Sequence, residues 1–102
     1  MKYEPYLLDA SIAPGQTSTF EMRERGEASI ALDTRGGAAL VEFSLSAAQR
    51  VEDGTAIWAP AAGLGPDGVV TNTVLIDEIP SSTSHVRVTN QGSEAVSLEI
   101  RQ

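Results

Sequence analysis

With 102 residues, 41% of them apolar and 21% charged, the chain has the size and composition of one globular domain with its own core. Fourteen acidic against seven basic residues give a formal charge of −7, which opposes binding to a nucleic-acid backbone or an anionic membrane. Cysteine is absent, so neither a disulfide framework nor a thiolate metal site is available.

No apolar run is long enough for a transmembrane helix, and "MKYEPYLLDA" contains no stretch suited to a signal peptide. Synthesis and retention in the cytoplasm are the expectation. Residues 1–6 stand outside the strand pattern and carry Tyr3, Pro5 and Tyr6. From Tyr6 onward, Leu8, Ala10 and Ile12 share one parity, the period of a half-buried strand, until "PGQ" interrupts it.

Residues 20–45 then show a change of phase. Phe20, Met22, Ala28, Ile30 and Leu32 are even, whereas Val41, Phe43 and Leu45 are odd. A hairpin closed by Glu24, Arg25 and Gly26 puts Phe20 opposite Ile30, with glycine at the left-handed loop position. A second hairpin closed by Gly36-Gly37 puts Leu32 opposite Val41 and Ile30 opposite Phe43. The pattern thus predicts three strands, roughly 17–23, 27–35 and 38–46, in an antiparallel meander. Arg23 would face Glu27 on its exposed side.

Beyond the meander, Ala47–Val51 suits one helical turn and no more. "TAIWAP" reads as a short strand ended by Pro60, and "AAGLGPDG" as a long loop. "VVTNTVLIDEI" reads as a β-branched strand ended by Pro80. "SHVRVTNQGSEAVSLEI" reads as a terminal hairpin: a three-residue loop at Asn90-Gln91-Gly92 sets Val86 opposite Val96, a five-residue loop sets Val88 there, and both fit. About eight short strands without a substantial helix cannot bury their apolar faces in one open sheet. The expected fold is all-β, a two-sheet antiparallel sandwich of jelly-roll type over residues 1–102.

Chemistry-bearing patterns are sparse. His85 is the single histidine and falls on the face away from Val86 and Val88, so it is expected exposed, with no partner set for zinc. The acidic pairs Glu52-Asp53 and Asp77-Glu78, and Asp67, fall in turns and at strand ends where solvated carboxylates are common. No serine stands in a G-x-S-x-G elbow, and "GLGPDG" matches no phosphate loop. The expectation is therefore no catalytic residue, no metal and no cofactor. Trp58 sits between Ile57 and Ala59 and reads as a core or sheet-edge residue. Protein-contact candidates are the arm residues Tyr3, Pro5 and Tyr6, together with Trp58, Pro60, Leu64 and Pro66 in and beside the loop 59–68. These segments serve either as contact surface or as closures of the sandwich ends.

Three segments, "GEASIALDTRGGAALVEFSLS", "TAIWAP" and above all "SHVRVTNQGSEAVSLEI", resemble the small all-β virion proteins of tailed bacteriophages, capsid decoration or cement proteins in particular. The resemblance implies a jelly-roll-like sandwich on the outside of an icosahedral shell, with the major capsid protein as partner. It further implies a homo-oligomer, dimer or trimer, made in the host cytoplasm, with no catalytic residues. Alternatives from other classes are a tail or fibre accessory module, a carbohydrate-binding module using Trp58, and an enzyme with a perturbed carboxylate in a cleft.

Overall fold

The computed structural model describes residues 7–23, 27–71 and 73–102. Wherever apolar residues alternate, the backbone is extended. The strands are β1 (Leu7–Ile12), β2 (Thr17–Glu21), β3 (Ala28–Asp33), β4 (Ala39–Ser44), β5 (Trp58–Pro60), β6 (Val69–Val70), β7 (Val74–Ile79), β8 (His85–Asn90) and β9 (Val96–Arg101). One six-residue helix, α1 (Ala48–Asp53), follows β4, and a single 3-10 turn spans Pro66–Gly68.

The strands form two antiparallel sheets. The first has the order β1-β9-β3-β7, and the second β2-β8-β4-β5, with β6 also on β4. The pairings nest: β1 with β9, β2 with β8, β3 with β7, β4 with β5. A long antiparallel ribbon with its closed end at β4-α1-β5 is therefore rolled so that successive strand pairs alternate between sheets. That is jelly-roll topology.

The core lies between the sheets. Ile12, Ile30, Leu32, Leu98 and Ile100 come from the first sheet, and Val41, Val70, Val86 and Val88 from the second. Ile30 is 1% exposed, with Ile100 its cross-strand partner. Each such side chain contributes about 1.5–3 kcal/mol when fully buried.

The predicted strands exist but not the predicted meander. β2 and β3 lie in different sheets, as do β3 and β4. Phe20 and Phe43 both oppose Val86 rather than Ile30, and Val41 opposes Val88 rather than Leu32. With the β2–β3 register absent, the predicted alignment of Arg23 with Glu27 goes too. The loop Glu24-Arg25-Gly26 lies outside the described residues. Between β3 and β4 the chain arches from one sheet to the other. Its tight turn is centred on Arg35 (φ 52°) and Gly36 (φ 84°), not on Gly36-Gly37, and the Gly37 N–H donates to the Thr34 carbonyl at 3.0 Å. Two successive positive φ values define a type I′ reversal, and glycine takes the second without strain.

The C-terminal hairpin is likewise replaced by an arch. β8 lies in the second sheet and β9 in the first, so Val86 and Val96 face each other's sheets instead of pairing. "VVTNTVLIDEI" divides into β6 and β7, again in opposite sheets, and the described residues hold nine strands rather than eight.

Candidate contact surface

The open side of the sandwich, between edge strands β5 and β7, carries an apolar groove. Period two places Phe43 and Ala59 on the inward face, and continuing that parity past the strand ends brings Leu45 and Ile57 to the rim. There they have no second sheet to cover them: Leu45 is 69% exposed and Ile57 68%. Phe43, Leu45, Arg50, Ile57 and Ala59 line one half of the groove, about 360 Å³. Phe43 also lines the other half, about 280 Å³, with Pro60, Ala61, Leu64, Asp77 and Glu78. One wall is the loop after β5, pinned to the second sheet by the Ala61 N–H donating to the Val41 carbonyl at 2.9 Å.

The outer face of the second sheet is polar. Glu42 and Arg87 are opposite in register, and Arg87 Nε donates to Glu42 Oε1 at 2.9 Å. The Arg87 guanidinium carbon also lies 4.2 Å from the centre of the Trp58 ring, a cation–π contact. Trp58 is thus a half-buried edge-strand residue turned outward, with one ring face occupied.

At one end of this face His85 is buried, only 5% exposed, which corrects the expectation of an exposed histidine. Strand parity does point it outward, but residues 45–48 and 82–84 close around it. Ser84 holds these segments together. Its Oγ lies 2.9 Å from the Ser44 carbonyl oxygen, 2.7 Å from that of Ser46 and 2.9 Å from His85 Nδ1. Carbonyls only accept, so the one hydroxyl hydrogen is committed to them and His85 Nδ1–H donates to Ser84 Oγ. The other ring nitrogen, Nε2, lies 3.8 Å from Glu21 Oε2, beyond hydrogen-bond distance. Thr83 lines the same cleft, about 180 Å³ in volume, and its buried Oγ1 has no hydrogen-bond partner.

Of the sequence-derived contact candidates, Tyr3, Pro5 and Tyr6 lie outside the described residues. Pro60 and Pro66 are exposed, and Leu64 is 6% exposed, anchoring its loop in the core while its side borders the groove. Leu45 and Ile57 were missed because their inward parity marks them as core. Among the described residues, no three His, Asp or Glu side chains approach closely enough to hold a metal ion.

No family model matches the chain, and no curated protein does. Among solved structures, the capsular polysaccharide assembling protein CapF from Staphylococcus aureus is similar over 93% of this chain at 15% identity and a TM-score of 0.48. CapF with the inhibitor 3-isopropenyl-tropolone gives the same values. The chain spans only 23% of the length of those CapF chains.

Proposed function

We propose that the protein is a non-enzymatic contact module, a decoration or cement protein that seats its β5–β7 side on the major capsid protein of a phage shell. The observation that carries this reading is the apolar groove rimmed by Leu45 and Ile57, each more than two-thirds exposed. Large aliphatic side chains displayed beside one another in a rigid frame favour burial against another surface. The sandwich supplies that frame, and its interior is filled by side chains rather than left open for a ligand.

The charge balance favours a different protein over a second free copy as occupant. Asp77 and Glu78 border the groove and the chain as a whole carries −7, so like copies repel in solution while a basic shell surface attracts. Copies bound side by side, as dimers or trimers, would add weak contacts through multivalency.

The test is co-sedimentation. The chain is co-expressed with the major capsid protein of a tailed phage, and assembled shells are pelleted through sucrose. Shells should carry the chain at a fixed ratio, and the Leu45→Asp/Ile57→Asp double variant should stay in the supernatant. Wild-type chain remaining unbound at micromolar concentration would overturn the reading. A glycan-binding reading draws support from Trp58 on the polar outer face; it requires Trp58 fluorescence to shift on glycan titration.

A further inference from the structure

Strand β7 ends the first sheet, and among the described residues no strand pairs with its outer edge. The ladder shows which of its backbone groups are left over. The Thr34 N–H donates to the Thr73 carbonyl at 2.9 Å, and the same register sets Leu32 opposite Leu75 and Ile30 opposite Asp77. Antiparallel pairs alternate between bonded and non-bonded, so Leu75, Asp77 and Ile79 turn their amides toward β3, while Val74, Ile76 and Glu78 turn theirs to the open edge. Glu78 agrees with this count: its N–H donates to Asp77 Oδ1 at 2.7 Å. Val74 and Ile76 keep N–H and carbonyl groups that no other strand uses. Across the groove, β5 is blunted. The Ala61 N–H on the Val41 carbonyl places Trp58 and Pro60 at the free edge of β5; Pro60 has no N–H, and its carbonyl accepts the Ala62 N–H at 2.9 Å.

We propose that the docked partner supplies an extended segment that pairs with β7 as a fifth strand of the first sheet, with an apolar residue opposite Leu75 and a lysine or arginine opposite Asp77. Leu75 and Asp77 are the half-buried, inward residues of β7, so side chains opposite them enter the groove. That half of the groove is about 280 Å³, lined by Phe43, Ala61 and Leu64, and its described charges, Asp77 and Glu78, are both negative. A basic side chain meets both conditions: its methylene stem packs on the apolar wall and its head reaches the Asp77 carboxylate. A second copy is the poorer occupant, because two β7 strands paired about Ile76 set each Asp77 opposite Leu75, with no cation. The side chains of Val74 and Ile76 point outward, so the added strand meets their backbone. The inference rests on the docking reading for the identity of the partner.

The experiment titrates the acetylated heptapeptide amide Leu-Thr-Lys-Thr-Leu-Thr-Val into the ¹⁵N-labelled free chain, with glutamate in place of lysine as control. In antiparallel register its first leucine meets Ile79, and its lysine then meets Asp77. The lysine peptide should shift the Val74 and Ile76 amides saturably and slow their exchange with solvent, and the control should bind about tenfold more weakly. Ile76→Pro removes an N–H that β3 does not use; it should abolish the response and leave the β3 amides in place. Equal response to both peptides, or none at millimolar concentration, would overturn the proposal. So would an Ile76 amide already protected in the free chain, which means the chain covers its own edge, or protection that rises with chain concentration, which means a second copy does. Wild-type chain that binds shells with its Ile76 amide still exchanging freely sinks this inference and leaves the docking reading standing. Wild-type chain that answers the peptide but ignores shells does the reverse. These wild-type measurements decide even if the proline variant does not fold.

Discussion

Gly37 and Gly92 lie back to back: a Cβ placed on either would sit 3.1 Å from the other's Cα. Gly37 belongs to the arch from β3 to β4 and Gly92 to the arch from β8 to β9, so two of the connections that carry the chain between sheets touch through their backbones. A Cβ on Gly92 would also come within 3.2 Å of the Ala38 nitrogen. Backbone cannot rotate away as a side chain can. Gly92→Ala should therefore destabilise by about 1–3 kcal/mol, seen as a Tm roughly 4–8 °C lower per kcal/mol. An unchanged thermal melt by circular dichroism would mean that the arches separate freely.

Asn90 ties the same end together. Its Nδ2 donates to the Ile12 carbonyl at 2.8 Å and the Glu94 carbonyl at 2.7 Å, and its Oδ1 accepts from the Gly92 N–H at 2.8 Å. The residue is 1% exposed, so water cannot replace these bonds at its side chain. Asn90→Leu keeps the volume but strands two carbonyls and an N–H, and should cost about 3 kcal/mol. Asn90→Asp should also destabilise, because it sets a carboxylate against two carbonyl oxygens. Urea midpoints measure both, and a loss below 1 kcal/mol for the leucine variant would contradict this accounting.

These two residues also explain what the sequence shows and what it conceals. Alternation located the strands, and the parity change between Leu32 and Val41 correctly keeps Ile30 and Leu32 on one side of it and Val41 on the other in the core. Yet a hairpin within one sheet and an arch between facing sheets satisfy that change equally, since each only needs the apolar side turned inward. Arg35-Gly36 can serve either connection. What separates them is which distant strands pair: β3 with β7 and β9, β4 with β8 and β5. Partners so remote in sequence leave no local trace. His85 follows the same logic. Parity placed it on the outer face, and residues 45–48, far away in the chain, close over it together with its own neighbours 82–84. For the groove, parity misleads in the other direction, because Leu45 and Ile57 keep the inward phase after the covering sheet has ended.

Arg87 and Trp58 offer an optical test of the outer face. The guanidinium stands 4.2 Å from the ring centre while Nε holds Glu42 at 2.9 Å. Removing it with Arg87→Ala should shift the emission of the sole tryptophan and destabilise by about 1 kcal/mol, combining a half-exposed ion pair with a cation–π contact. Arg87→Lys keeps the charge but loses the planar stack, so its emission should lie between the two. Identical spectra for all three proteins would show that the stack does not persist in solution.

The groove makes the sharpest separation between folding and function. Leu45 and Ile57 are already exposed to water, so replacing each with aspartate removes no core contact and should change stability by no more than about 0.5 kcal/mol. The same changes place charge in a surface that the docking reading requires to be dry. Binding to shells should fall at least tenfold, while thermal melts and the circular dichroism spectrum stay with wild type. Val74→Asp and Ile76→Asp supply the matched control: these residues are 62% and 74% exposed on β7, where their parity points away from the core rather than toward the groove. If both pairs of substitutions weaken binding equally, apolar exposure in general accounts for adhesion. If only the first pair does, the β5–β7 groove is the surface that meets the partner.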